Sequence, residues 1–422
     1  MYYPLTNYSK IRQWEWLFLC VVFIIYPFLA FGLAFFYIEK KWARMCILLF
    51  TILYGYNVTA GNNQGLDLYR YLLALKDAHK MPFSDIIEVM TGNIKISGTD
   101  GADLYRTLTI FIVSRFTSNG HILMAVFSLV YGLLYIYCIK IFLSIDSKKD
   151  LVFYSLLLCF SVAWGLSGIA FVRFPTASLF FFIATYKVLE TPKNKKYWFL
   201  MVSSLAIHFG LMAAVIILPL YFLIKGNKYI IYTLLIVSII VPELFSSQIS
   251  LLGGYLGGTL QDRIEIYTKE TYIEQTLHNR DNLNWYISLI PKMIQCYAYI
   301  VICCILFFSR KIILDKQSNR LYLFSILLLT VSNMTMNIPS FGERYLNLYI
   351  LFLTIFVYKL YKLNTGNRWI YCLSLICVAF FIFKISYDFR CILSYSTIEL
   401  YTSNIFDIVL TPSTDTVWSL IK

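Results

Sequence analysis

The feature that most constrains this chain is a succession of long apolar runs separated by short polar loops. The runs fall at about 17–37, 44–60, 121–143, 151–170, 174–189, 197–224, 229–252, 285–309, 319–338, 345–362 and 368–388. A helix needs ~20 apolar residues to cross a bilayer, and most of these runs approach that length. Lipid offers no partner for backbone polar groups, so only helices or closed barrels cross it. Barrel strands alternate polar and apolar residues over short segments, and these runs do not. With 59% hydrophobic and 14% charged residues among 422, the composition also exceeds the ~45–50% apolar content of soluble domains. The expectation is an all-α polytopic membrane protein, one integral membrane domain over 1–422, with about ten to twelve transmembrane helices. The first run lacks a small-residue cleavage site and leads into Glu39-Lys40-Lys41, so it reads as a retained helix.

The net charge is +13. In a soluble chain that would point to nucleic acid. Here the basic residues sit in short loops at 39–44, 146–150, 193–196, 225–228, 310–320 and 362–368. Such loops prefer the cytoplasm, which accounts for most of the excess without a nucleic-acid partner. The loops on either side of 197–224 are both basic. They share a side only if that run turns back at His208-Phe209-Gly210, so a short helical hairpin is expected there. The same parity places two long polar segments, 61–103 and 253–284, outside. It also collects Asp67, Arg173, His208 and Arg344 on that external face. The segment from Leu104 to 116 is too short to span and reads as amphipathic, lying along the interface.

Arg173 stands between two apolar runs, in Gly165-Leu166-Ser167-Gly168-Ile169-Ala170-Phe171-Val172-Arg173-Phe174-Pro175. Burying its charge in lipid is costly, so it calls for a reason. One is a planar fork matched to phosphate oxygens; the other is a snorkelling interfacial side chain. Arg344, in Phe341-Gly342-Glu343-Arg344-Tyr345, repeats the arrangement. Asp67 and Tyr71 are four apart and share a helix face. With Tyr69 and Arg70 they form a candidate sugar site, or Asp67 caps its helix. His208 interrupts an apolar run. It is either a packed core histidine or a base, since an imidazole ordinarily titrates near ~6.5. In 253–284, Arg263, Tyr267, Tyr272, His278 and Arg280 either contact an anionic glycan or belong to a solvated loop. The Gly253–Gly258 stretch has no strand before it and no GK[ST] after it, and reads as a hinge.

The ten cysteines lie mostly in apolar runs without a CxxC pair, as small buried hydrophobes do. There is no Walker motif, HExxH or nucleophile elbow, which argues against an ATP-driven pump, a zincin and a serine hydrolase.

Taken in order, Asp67 with Tyr71, Arg173-Phe174-Pro175-Thr176-Ala177, the Lys-rich loop, Ile207-His208-Phe209 and Arg344-Tyr345 resemble the EpsG-type branch of the Wzy-like repeat-unit polymerases of O-antigen, capsule and exopolysaccharide. The likeness covers about 15–390. The chain departs from the pattern at Phe174, where a glutamine often stands, and at Phe209-Gly210-Leu211. The resemblance implies a bacterial inner-membrane enzyme: a metal-independent, inverting glycosyltransferase without cofactor. Glycan moves from undecaprenyl diphosphate to a sugar hydroxyl of another lipid-linked repeat unit on the periplasmic face. A chain-length regulator is a candidate partner. On that basis Arg173 and Arg344 are expected at the diphosphate, His208 or Asp67 at the acceptor proton, and Tyr69, Arg70, Tyr71, Tyr345 and Arg263 around the substrate. A flippase for lipid-linked glycans, which predicts paired inverted halves, and a ligase or acyltransferase remain the alternatives.

Overall fold

A computed structural model describes residues 6–59, 67–91, 94, 103–146, 149–240, 284–338, 341–411 and 415–421; of residues 6–13, 91 and 309 it describes the backbone alone. Among them the only extended pairings are two isolated bridges, Val58 with Ser396 and Thr397 with Thr416; the rest is helix, turn and short irregular links. Among the described residues five helical segments are long and apolar enough to cross a bilayer: Gly120–Leu143, Leu151–Phe171, Trp285–Phe307, Phe341–Leu363 and Arg368–Tyr395. Shorter apolar helices accompany them. The chain is an all-α polytopic membrane protein. Its ten cysteines are all free.

By its internal contacts the chain divides into two compact units. The first comprises 1–140, 166–176 and 389–422. It begins with α1 (Thr6–Ile25) and α2 (Pro27–Phe36), separated at Tyr26 because Pro27 opens the second helix and lacks an N–H. α3 (Lys41–Tyr56) packs on α2, where the rings of Phe31 and Phe50 stack at 4.2 Å. The first polar segment folds into α4 (Asp67–Lys80), a 3-10 turn (Phe83–Asp85) and α5 (Ile86–Thr91). α4 pairs with α6 (Leu104–Ser114). α6 turns Leu104, Leu108 and Ile112 outward and buries Arg106, Ile110 and Phe111, the two-faced pattern of an interfacial helix. α7 (Gly120–Leu143) contributes as far as Lys140. The tail folds back within this unit, with the Tyr56 hydroxyl donating to the Val409 carbonyl at 3.0 Å.

The second unit comprises 141–165 and 177–388. It contains α8 (Leu151–Ser161), most of α9 (Arg173–Glu190), α10 (Lys195–Ile207), α11 (Met212–Leu223), α12 (Lys228–Ile240), α13 (Trp285–Phe307), α14 (Lys316–Thr335), α15 (Phe341–Leu363) and α16 (Arg368–Tyr395) to Asp388. α14 and α15 form its centre, with α8 on α15 and α12 on α14. Phe352 fixes the seam, lying 4.9 Å from Phe182 and 5.3 Å from Phe324. At one end Asn364 joins the residues flanking α14 and α15, accepting from Ile313 N at 2.8 Å and donating to its carbonyl at 3.0 Å.

The expected hairpin is present. α10 ends at Ile207, His208 adopts an extended backbone (φ −154°), a 3-10 turn covers Phe209–Leu211, and α11 follows. Trp198 in the first turn of α10 meets Phe222 near the end of α11, ring centroids 5.3 Å apart. With 13 and 12 residues, each arm is shorter than the ~20 needed to span.

Candidate functional site

Arg173 opens α9 in the first unit. Its guanidinium is held on three sides. Nη2 donates to Asp67 Oδ2 at 2.9 Å, Nη1 to Asp103 Oδ2 at 2.8 Å, and Nε to the Tyr71 hydroxyl at 3.1 Å. Three of its five N–H donors are thus engaged. Asp103 is fully buried, whereas the Asp67 side chain is 31% exposed. An arginine in an apolar setting is tolerated when carboxylates pair with it, and that is the physical answer to its awkward position in the sequence.

Asp67 and Tyr71 lie one turn apart on α4, and both reach Arg173. Burial alone raises the Asp67 carboxyl, but the facing charge and hydrogen bond of Arg173, with Arg70 and Arg106 behind, hold it below its ordinary value. Burial pushes the Tyr71 phenol up to about 12, against the pull of Arg173. At neutral pH the site is therefore an ionised carboxylate, a neutral phenol and an arginine. Arg106, almost fully buried, places its guanidinium 5.7 Å from the centre of the Tyr71 ring. Arg70 lies 3.8 Å from Asp67 Oδ1 with its side chain 57% exposed. Three arginines against two carboxylates leave one net positive charge.

The backbone feeding Arg173 is unusual. Val172 is a β-branched residue at φ +37°, 2% exposed. Such a conformation costs on the order of 1–3 kcal/mol and persists only where its surroundings impose it. The preceding 3-10 segment, Leu166–Phe171, packs on α3 and α4. There Gly168 comes close to other groups: a Cβ on it would stand 3.0 Å from the Tyr131 hydroxyl and 3.2 Å from Pro175. Packing on one side and the three-way grip on the other hold the turn.

Asp103 and Arg106 are not among the residues singled out from the sequence. The signal is nevertheless there. Gly65-Leu66-Asp67-Leu68-Tyr69-Arg70 and Gly101-Ala102-Asp103-Leu104-Tyr105-Arg106 repeat the pattern Gly-x-Asp-Leu-Tyr-Arg. Each copy stands at a helix start, with Asp67 as the first residue of α4 and Asp103 just before α6. The two aspartates take the two terminal nitrogens of one arginine. Their arginines differ, Arg70 being exposed and Arg106 buried. Tyr69 is half-buried and shares no hydrogen bond with Arg173 among the described residues.

The remaining candidates belong to the second unit or fall outside the description. His208 is buried at 6% exposure. Tyr345 is fully buried and its hydroxyl donates to the Gly210 carbonyl at 2.8 Å. That bond ties the start of α15, where Arg344 sits, to the turn that follows His208. Tyr345 thus braces this turn. Close by in the chain, Ser332 Oγ donates to the Gly342 carbonyl at 2.9 Å. Arg263, with Tyr267, Tyr272, His278 and Arg280, lies outside the described residues. Among the described residues no group of three or more His, Cys, Asp or Glu side chains is placed to hold a metal ion.

No curated protein and no solved structure matches the chain. A family model matches residues 40–397, which include both the Arg173 cluster and the His208 turn. With that match across most of its length, the chain belongs to the EpsG family, as a multi-pass membrane protein with a polysaccharide-polymerase-type role.

Proposed function

We propose that the protein polymerises lipid-linked glycan repeat units, with the Arg173 cluster at the reacting end of the substrate. The observation that carries this reading is the grip of Asp67, Asp103 and Tyr71 on Arg173. Glycosyl transfer from a polyprenyl diphosphate separates charge in its transition state: the anomeric carbon becomes positive and the leaving diphosphate negative. A fixed arginine next to a partly exposed carboxylate is complementary to that separation. Preorganised charge of this kind, aimed where charge develops, is a large source of catalysis in a water-poor site.

In this proposal the acceptor sugar hydroxyl attacks the anomeric carbon from the face opposite the diphosphate. The new C–O bond forms, the bond to the phosphate oxygen breaks, and undecaprenyl diphosphate leaves with the electron pair, inverting the centre. The two donors of Arg173 left over among the described residues and the exposed Arg70 take the phosphate oxygens. Ionised Asp67 accepts a hydrogen bond from the acceptor hydroxyl and orients it, with Tyr69 and Tyr71 beside the sugar. Its lowered pKa suits an orienting acceptor better than a strong base, and the acceptor proton passes to the departing diphosphate. The bacterial inner membrane, the periplasmic face and a chain-length regulator as partner are parts of the same proposal.

The test is made in a deletion background and with purified protein given one lipid-linked repeat unit. Arg70→Gln, at an exposed position, is expected to keep normal protein levels and to lower chain yield at least tenfold. Arg173→Lys keeps the charge without the fork and is expected to shorten or abolish long chains. A normal product ladder from both variants at wild-type protein levels overturns the proposal. So does wild-type protein that moves the substrate across vesicles without elongating it.

A further inference from the structure

The second unit carries a second polar construction, at the other end of its central helices. α11 finishes at Leu223, and the chain turns through Lys225 (φ +54°) and Gly226 (φ +60°). Gly226 N donates back to the Tyr221 carbonyl at 3.0 Å, closing the helix end. A Cβ on Gly226 would stand 2.9 Å from the Tyr221 hydroxyl, so the backbone rests on that ring. Facing it is the first turn of α14. Between them lies a cavity of about 270 Å³ walled by Tyr221, Lys225, Gly226, Lys316, Asn319 and Arg320, with two apolar side chains completing it.

The chemistry of this wall is one-sided. Three of its side chains are cations and none is a carboxylate. Asp315, next to Lys316 in the chain, caps α14 by accepting from Ser318 N at 2.8 Å. Arg320 is half-buried and anchored by one donor, Nη1, to the Leu189 carbonyl at 3.1 Å. That contact fixes the fork and leaves four N–H donors beyond it. Lys225, Lys316 and Asn319 are exposed at the rim. The wall therefore offers a held guanidinium, two exposed ammonium groups, an amide and a phenol around one opening. Polar donors converging on one void mark a binding site, and these match a phosphoryl group.

Position gives the cavity its meaning. α14 has 20 residues, a rise of about 30 Å. The cavity is at its first turn; Ser332, which meets Gly342, is in its last turn. The two ends are thus separated by about the thickness of the hydrocarbon core. Both loops that build the cavity are basic, which assigns this end to the cytoplasmic leaflet, where anionic lipid is concentrated.

We propose that this cavity binds a phosphate-type anion at the membrane face opposite the His208 turn. The anion is either the headgroup of an anionic phospholipid or a free phosphate, two sources that share this chemistry. The site is independent of the glycan reaction and uses none of the residues assigned to it.

The experiment measures thermal unfolding of the full chain in nanodiscs of neutral phosphatidylcholine, with and without phosphatidylglycerol, and in neutral detergent with and without inorganic phosphate. Phosphatidylglycerol is expected to raise the transition of wild type, and titration is expected to show about fivefold weaker binding for each cation removed. The variants are Lys225→Gln and Lys316→Gln, which are exposed and spare the fold, and Arg320→Gln. Lys193→Gln, in another basic loop, is the control and is expected to behave as wild type. A response to inorganic phosphate, lost in the same variants, identifies the free anion as the ligand. No response to either probe, or equal responses in wild type and all three cavity variants, overturns the proposal.

Discussion

Arg173 in the first unit and Arg320 in the second present the same fork in opposite company. Arg173 meets two carboxylates and a phenol, and three of its donors are spent inside the protein. Arg320 meets one backbone carbonyl, and its neighbours in the cavity wall are lysines. The first arrangement neutralises a buried charge and locks a geometry. The second leaves positive charge uncompensated at a surface opening. An arginine in a membrane protein is thus not one signal: its partners decide how much of its fork is left for an anion.

The largest expected difference follows from truncating each arginine. Arg173→Ala strands the fully buried Asp103 without its partner, which costs on the order of 3–5 kcal/mol. Arg320→Ala removes a half-buried charge with one hydrogen bond, a loss of about 1 kcal/mol. Thermal unfolding of both variants in the same detergent checks this; an equal loss would erase the distinction between a clamped and an open arginine.

Within the clamp the two aspartates differ by burial. Asp103→Asn replaces a fully buried acceptor of a charged hydrogen bond and is expected to destabilise by about 2 kcal/mol, and Asp67→Asn, partly in solvent, by about 1 kcal/mol. The reverse order, measured the same way, would show that the second copy of Gly-x-Asp-Leu-Tyr-Arg is the lesser support.

The pH dependence of Asp67 is a smaller effect. Its folded pKa lies below the ordinary ~3.9, so the stability it contributes is present above that value and is lost as pH falls through the lower, folded one. The melting difference between wild type and Asp67→Asn is therefore flat from about pH 5 to 8 and closes only below about pH 4. A difference that closes near neutrality would mean that Arg173 does not hold Asp67 ionised. The smallest effect is expected at the cavity rim. Lys316→Gln, exposed and without a buried partner, shifts stability by less than about 0.5 kcal/mol while weakening anion binding.

The candidate site was partly legible before any tertiary contact was known. The four-residue spacing of Asp67 and Tyr71 puts them on one helix face, and both meet Arg173. The isolation of Arg173 between apolar runs marked it as a charge needing a reason, but the readings it suggested were a phosphate fork or a snorkelling side chain, not the carboxylates that pair with it. Asp103 was as readable as Asp67, because the six-residue pattern recurs, but the repeat has no meaning until one arginine is seen to join its two copies. Tyr345 shows the opposite case. Its hydroxyl meets the Gly210 carbonyl, and nothing in the local sequence announces a bond across 135 positions.

By itself the sequence determined the class of the protein, because lipid forces each apolar run to satisfy its own backbone. It determined the break at His208 as well, because two basic loops on either side of a run cannot both face the cytoplasm unless the run turns back. Only the tertiary structure decided which charges meet. Asp103 reaches Arg173 across 70 positions and Asp67 across 106, and the cavity joins the end of α11 to the start of α14. Periodicity reports which face of a helix is apolar. It does not report which distant carboxylate will balance a buried cation, since that choice follows from packing of whole helices.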